Sequence, residues 1–231
     1  MGSCEFLQCW TKFKDARATD LIKIDFSLLY PLKEHLLYSK FQFFKKKIER
    51  YYGVHIHNEY SKQLFAKAKS TTNKDAQDYI YLTLLNAVLP STGRFKTKTG
   101  KKSKKVTIVD AQESLVLRLV TINDYQRQID AIINKYFSAG LTVQPFLIVE
   151  GSSDMDIRGF FVFFDHTLFK LNSFVEALDI CFKIFHVLNL EYPPACRLCW
   201  IFVQQFFFEI NTHFDYKSSN ITSLSSFLNT N

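Results

Sequence analysis

The chain has 231 residues, 47% of them hydrophobic, and a formal charge of +7, a balance that excludes a disordered chain and supplies one good core or two small ones. Its longest apolar runs, such as residues 160–164 and 200–203, fall far short of the ~18–20 residues that span a bilayer, so no membrane helix is expected. Five Cys and no secretory segment at the start argue against a disulfide scaffold and for a nuclear or cytoplasmic protein.

The first ninety residues predict a helical region. Leu37, Phe41, Phe44, Ile48 and Tyr51 recur at alternating spacings of four and three, the signature of one buried helix face, with Pro31 as a first helical position and Gly53 just past the end. Lys40, Lys45, Lys46 and Lys47 fall largely off that stripe and predict a solvated basic face, with phosphate binding at Lys45–Lys47 as the sharper reading. A further helix is expected over residues 73–89, stopped by Pro90.

Residues 91–110 read as an exposed basic linker. Arg94, Lys96, Lys98, Lys101, Lys102, Lys104 and Lys105 lie in twelve residues without a carboxylate, whereas residues 111–231 carry a net charge of −4. Clustered ammoniums that repel one another gain by meeting phosphate or carboxylate, so these seven residues are the candidate contact for nucleic acid or a nuclear-import receptor. The Gly100-Lys101-Lys102-Ser103 tetrapeptide is not a nucleotide loop. Six residues separate Gly93 from Gly100 where the loop needs four, an extra Lys precedes Ser103, and a helix stands where a strand should.

Residues 111–215 predict an α+β module with a small mixed sheet in the order β-α-β-β-β-α-α. Strands are expected over 115–120, 143–149, 160–164 and 168–171. Between the first two, a helix over 124–138 is expected, capped by Asn123 and closed at Gly140. Ser173 and Glu176 form a second capping pattern, opening a helix with Phe174, Leu178, Cys181, Phe182, Phe185 and Leu188 on its apolar side. Pro193 and Pro194 start a last helix that is apolar on two sides, so Trp200, Phe207 and Phe208 are the candidate interface to a protein partner or a second copy of the chain. Residues 216–231 read as a flexible tail with a short turn near 224–228.

Segments 89–94 (Leu-Pro-Ser-Thr-Gly-Arg), 144–146 (Gln-Pro-Phe), 181–186 (Cys-Phe-Lys-Ile-Phe-His) and Tyr192-Pro193, followed by Trp200, together resemble a pattern recurring in a family of uncharacterised animal proteins, some mobile-element-associated. The resemblance covers roughly residues 86–215. It implies a mobile-element origin and carries over no activity or catalytic residue.

Three constellations bear on chemistry. Arg158-Gly159 followed by the aromatic run 160–164 is similar to the base-stacking strand of RNA-recognition domains, but a small residue is missing between the first aromatics and a helix stands where the fourth strand belongs. Cys181, His186, Cys196 and Cys199 have a spacing that could wrap zinc, although Cys181 and Cys199 already belong to apolar stripes and are expected in the core. Glu150, Asp154, Asp156 and Asp165 surround a strand pair and could gather a divalent metal for phosphodiester chemistry, without a Lys or His to complete a nuclease site. No cofactor is expected. The favoured reading is a non-enzymatic binding protein that meets a protein partner and, through its basic run, nucleic acid; the alternatives are a metal-dependent enzyme on nucleic acid and a homo-oligomeric assembly protein.

Overall fold

The computed structural model describes residues 17–91, 93–96, 103–138, 140–213 and 215–230. The chain is α+β, as its periodicities require. Helices α1 (Ala18–Leu29), α2 (Leu36–His55), α3 (Glu59–Ser70), α4 (Lys74–Thr83) and the short α5 (Leu85–Val88) lead into strands β1 (Arg94–Lys96) and β2 (Ser103–Lys105) and helix α6 (Ile108–Leu115). Then follow β3 (Val116–Leu119), α7 (Tyr125–Ser138), β4 (Phe146–Ser153), β5 (Asp156–Phe164), β6 (Thr167–Leu171), α8 (Phe174–Val187), α9 (Arg197–Phe202), a π turn (Val203–Phe207) and α10 (Ser219–Thr230).

Short polar side chains cap α3, α4, α6 and α8. Asn58, Asn73 and Ser173 each accept a hydrogen bond from the backbone amide three residues on, satisfying a donor that the first turn leaves free. Thr107 and Asp110 form a reciprocal capping box on α6, a helix that falls inside the expected linker. The expected cap at Asn123 is displaced: Thr121 holds the Asn123 amide and a 3-10 turn precedes α7. At the other end Gly140 has φ +70° and the Leu141 amide reaches the Tyr136 carbonyl, which closes α7 as expected. Pro31 does not open a helix; it lies in the connection between α1 and α2. Gly53 lies inside α2, which runs on to His55.

The sheet has the order β3-β4-β5-β6, with β3 parallel to β4 and the other pairs antiparallel. Asp165 and His166 link β5 to β6, both with positive φ, the conformation a tight two-residue hairpin demands. Side chains alternate cleanly between two cores. Leu117, Leu119, Phe146, Ile148, Phe161 and Phe163 pack with Ile129, Ile132 and Ile133 of α7, whereas Val116, Leu147, Val149, Phe160, Val162 and Phe164 face the larger core. That larger core includes Phe26, Phe41, Leu64, Ile80, Phe182, Phe202 and Leu228, so the N-terminal helices, α8 and the C-terminal helices share one apolar interior with the sheet. The Phe-rich strand is therefore covered on both faces and offers no exposed ring for base stacking.

Two expectations for the C-terminal region fail. Residues 219–230 form a helix, because Ile221, Leu224 and Leu228 recur at spacings of three and four and are buried. The Phe227 ring meets Tyr51 of α2 with centroids 5.1 Å apart, and Lys47 donates to the Leu228 carbonyl. Trp200, Phe207 and Phe208 are fully buried within this one chain, so they form core and not an interface. Trp200 meets Phe185 at 5.0 Å, Phe207 packs on Phe41 and Phe44, and Phe208 stacks on Phe182 at 3.9 Å. The π turn adds a residue to the helical repeat and turns successive Phe side chains toward different neighbours.

Candidate functional site

The basic run is a β-ribbon where it is described. Arg94 pairs across the ladder with Lys105, Phe95 with Lys104 and Lys96 with Ser103; Arg94 and Lys105 are exposed. Lys98, Lys101 and Lys102 lie outside the described residues, as do the side chains of Lys96 and Lys104. The ribbon is fixed at its base. The Val106 amide donates to the Gly93 carbonyl, the Ser91 hydroxyl donates to the Pro194 carbonyl, and a Cβ on Gly93 would lie 2.8 Å from that same oxygen. Only glycine lets the backbone approach so closely. The expected linker is thus a structured arm seated on the Pro193-Pro194 segment.

The basic face expected on α2 is largely structural. Lys45 is buried against Asp78 and Gln77, Lys40 is bonded to Glu209 and to the Phe206 carbonyl, and Lys47 lies 4.2 Å from the Phe43 ring centroid. Lys45 is therefore no phosphate contact.

Three of the four carboxylates weighed as a possible metal cluster are bound by cations, a hydroxyl or an amide. Asp154 accepts from Lys67 at 2.8 Å and pairs with Arg118 at 3.0 Å. Asp156 is bound by Arg158 and Ser152, and these hydrogen bonds, Arg158 first, hold its carboxyl below the usual range. Glu150 accepts from the Ile122 amide, and Asp165 sits in the β5–β6 turn. The thiols fare no better as ligands. Cys181, Cys196 and Cys199 are buried and burial raises all three, Cys196 to about 12, which keeps them protonated. Cys199 donates to Asn86, and both nitrogens of His186 are engaged by tyrosines. Among the described residues no three His, Cys, Asp or Glu side chains converge to hold a metal ion.

What the structure adds is a polar stripe on α8, opposite its apolar face. Glu176, Asp179, Lys183 and His186 follow one another at spacings of three, four and three and meet α1 and the segment after it. The signal was present in the sequence as a second period on the same helix, hidden because the apolar residues account for a full amphipathic stripe by themselves.

At the C-terminal end of the stripe, a cleft of about 680 Å³ is lined by Tyr30, His186, Tyr192, Arg197, Gln204 and Asp215, among others. A chain of hydrogen bonds fixes its protons. Gln204 donates its amide to the Ile210 carbonyl and to Asp215, so its oxygen accepts from the Tyr192 hydroxyl at 2.9 Å. The Tyr192 oxygen then accepts from His186 Nε2–H at 2.9 Å, leaving Nδ1 to accept from the Tyr30 hydroxyl at 3.0 Å. Tyr30 beside an oriented His has the outline of a nucleophile and its base. The acidities oppose that use: burial lowers His186 to about 4, and burial together with the Asp215 charge raises Tyr30. At neutral pH the imidazole and both phenols are uncharged, and their hydrogen bonds are satisfied.

Nearer the start of α8, a second cleft of about 460 Å³ is lined by Lys23, Ile24, Glu34, Tyr38, Asp179 and Lys183, among others. Lys183 and Asp179 form an ion pair at 2.7 Å with side chains 3% and 1% exposed. Lys183 also donates to the Glu34 carbonyl at 3.0 Å, and the Tyr38 hydroxyl lies 3.4 Å from Asp179 Oδ2. Burial raises the Asp179 carboxyl to about 6 against the opposing pull of Lys183. Asp179 Oδ1 and Glu34 Oε2 are buried without a hydrogen-bond partner.

Compared with known proteins, the chain matches no family model, no curated protein and no solved structure. Among the described residues no helix is long and apolar enough to cross a membrane.

Proposed function

We propose that this protein is a non-enzymatic binding module that holds a polyanion, nucleic acid in the first place, on the β1–β2 ribbon. The observation that supports it is the antiparallel pairing of Arg94 with Lys105 at the base of an arm whose twelve residues contain no carboxylate. A two-stranded ribbon has the dimensions of a major-groove reader, and ammoniums along it contact phosphates on either side. Such contacts are nonspecific in sequence and release condensed counterions. The reading accords with a nuclear site of action, and the resemblance over residues 86–215 adds a mobile-element origin. A protein partner is the second part of the proposal: on α1, Ile24, Leu28 and Leu29, with Leu32 just beyond, are large apolar side chains more than half exposed, a patch suited to another protein's apolar surface.

The test is binding of a labelled duplex of about 20 base pairs at several salt concentrations. Affinity should fall linearly with salt on a logarithmic scale, with a slope of about 0.9 per phosphate contacted. Changing Lys101, Lys102, Lys104 and Lys105 to Gln should reduce both the affinity and the slope, while stability moves by no more than about 0.5 kcal/mol. Binding that ignores salt, or survives the four substitutions unchanged, would remove the proposal.

A further inference from the structure

The cleft of about 680 Å³ beside His186 is also lined by groups that the hydrogen-bond chain does not use. Arg197 and Lys217 line it, both exposed, and among the described residues neither side chain has a hydrogen bond or an ion pair. Tyr216, 51% exposed, lines the same cleft, and its ring meets no other aromatic ring among the described residues. Two carboxylates are present as well. Asp215 has both oxygens taken by Gln204, Gln205 and Thr212, whereas the exposed Glu191 has no partner among the described residues. Two uncommitted cations therefore stand against one uncommitted anion, and that balance favours an anionic ligand. Free cations beside a free aromatic ring are the elements of a single-nucleotide site, the ring to stack a base and the cations to hold its phosphate. The place in the fold points the same way: Tyr192 and Arg197 flank Pro193 and Pro194 in the chain, and the Pro194 carbonyl seats the ribbon through Ser91 and the close approach of Gly93.

We propose that this cleft binds one nucleotide, its phosphate on Arg197 and Lys217 and its base against the Tyr216 ring, at the foot of the ribbon. The choice of a nucleotide among anionic ligands rests on the reading of the ribbon as a nucleic-acid contact; the charge and the ring belong to the cleft alone. A guanidinium presents paired donors that match phosphate oxygens, and Lys217 adds a second charge without demanding a fixed geometry. An aliphatic carboxylate would leave the Tyr216 ring unused, a nucleoside would leave both cations unmet, and a cationic ligand would meet Arg197 and Lys217 with like charge. A volume of about 680 Å³ lies within the range of small-molecule sites and admits a whole nucleotide. A base can enter only when it is unpaired, because in a duplex both its faces are stacked on its neighbours. The cleft therefore selects single-stranded nucleic acid, or an unpaired end, where the ribbon alone would hold either form.

Isothermal titration of the full chain at about pH 7.5 with AMP, adenosine and inorganic phosphate tests this. AMP should bind saturably, and adenosine and phosphate each at least about tenfold more weakly, the scale of one charge-assisted contact or one stacked base. Arg197→Gln should weaken AMP about tenfold and leave adenosine unchanged. Tyr216→Ala should weaken AMP about tenfold and leave phosphate unchanged. Both variants should keep the circular dichroism melt of the natural chain, because neither side chain has a partner to lose. Glu191→Gln should tighten AMP by removing a like charge. The chain with Lys101, Lys102, Lys104 and Lys105 changed together to Gln should bind AMP like the natural chain. Binding of AMP by a chain that fails to bind duplex supports the cleft and removes the ribbon reading; salt-dependent duplex binding without AMP binding removes the cleft alone. No saturable binding of AMP, adenosine or phosphate equal to AMP, or full affinity in Arg197→Gln or Tyr216→Ala would overturn the proposal.

Discussion

The two ends of the α8 polar stripe solve the same problem in opposite ways. At His186 every polar atom along the run from Tyr30 through Tyr192 and Gln204 to Asp215 finds a partner, and the imidazole stays neutral. At Lys183 and Asp179, one and two helical turns away, charge is buried, and Asp179 Oδ1 and Glu34 Oε2 are left without a hydrogen-bond partner. Polar networks whose every group has a partner hold a unique arrangement, whereas buried ions with spare valences are costly. One end of the stripe closes its hydrogen bonds, and the other keeps an ion pair beside acceptors that no described donor meets.

The sharpest way to break this contrast is Lys183→Met, which leaves Asp179 buried without its cation and should cost about 3–5 kcal/mol in urea unfolding. Replacing both partners, Asp179→Leu with Lys183→Met, should return stability to near the natural level, because the pair as a whole is costly to bury. A double variant as unstable as Lys183→Met would show that the pair itself is a net source of stability.

The pH dependence separates the ends by sign. Asp179 is raised from 3.8 to about 6, so the folded chain keeps its proton longer and the stability linked to it is lost as pH rises through about 6. His186 is lowered from 6.5 to about 4; the unfolded chain takes the proton first, and stability is lost as pH falls from 6.5 toward 4. Between pH 4 and 6 the two slopes oppose each other. Relative to the natural chain, Asp179→Asn should gain a rising slope with pH and His186→Phe a falling one, each by about 2 kcal/mol across the window. Thermal melts at half-unit pH intervals would show slopes of the same sign if the assignment is wrong.

Smaller effects grade the complete network. Gln204→Leu strips the Tyr192 hydroxyl, the Ile210 carbonyl and Asp215 of a partner and should destabilise by about 1–2 kcal/mol. Tyr30→Phe removes only the donor to His186 Nδ1, at a half-buried position that water can reach, and should cost no more than about 1 kcal/mol. Equal losses for the two would mean that the hydrogen bonds do not act as a connected chain.

Much of the fold was legible in the chain. Alternating spacings of three and four placed the buried stripes of α2 and α8, the runs of β-branched and aromatic residues placed all four strands of the main sheet, and Asn73, Ser173 and Gly140 marked helix ends, since each of these depends on neighbours a few residues away. The same local reading misjudged places decided by distant partners. Residues 219–230 are poor in strong helix formers and become helical because Ile221, Leu224 and Leu228 are buried where this segment meets α2. Trp200, Phe207 and Phe208 looked like surplus apolar surface until the π turn and the Phe residues of α1, α2 and α8 closed around them. The carboxylates around β4 and β5 look like a metal cluster in sequence and are answered in space by Lys67, Arg118 and Arg158.

The sequence by itself determined the α+β class, the order of the elements from β3 to α9 and the concentration of positive charge in residues 94–105, because backbone period and formal charge are properties of the chain. Only the tertiary structure decided that Arg94, Lys96, Lys104 and Lys105 lie on a ribbon seated against Pro194, and that Glu34 and Asp179, 145 residues apart, line one cleft. Burial and pairing are set by which surfaces meet, and no spacing along the chain contains that information.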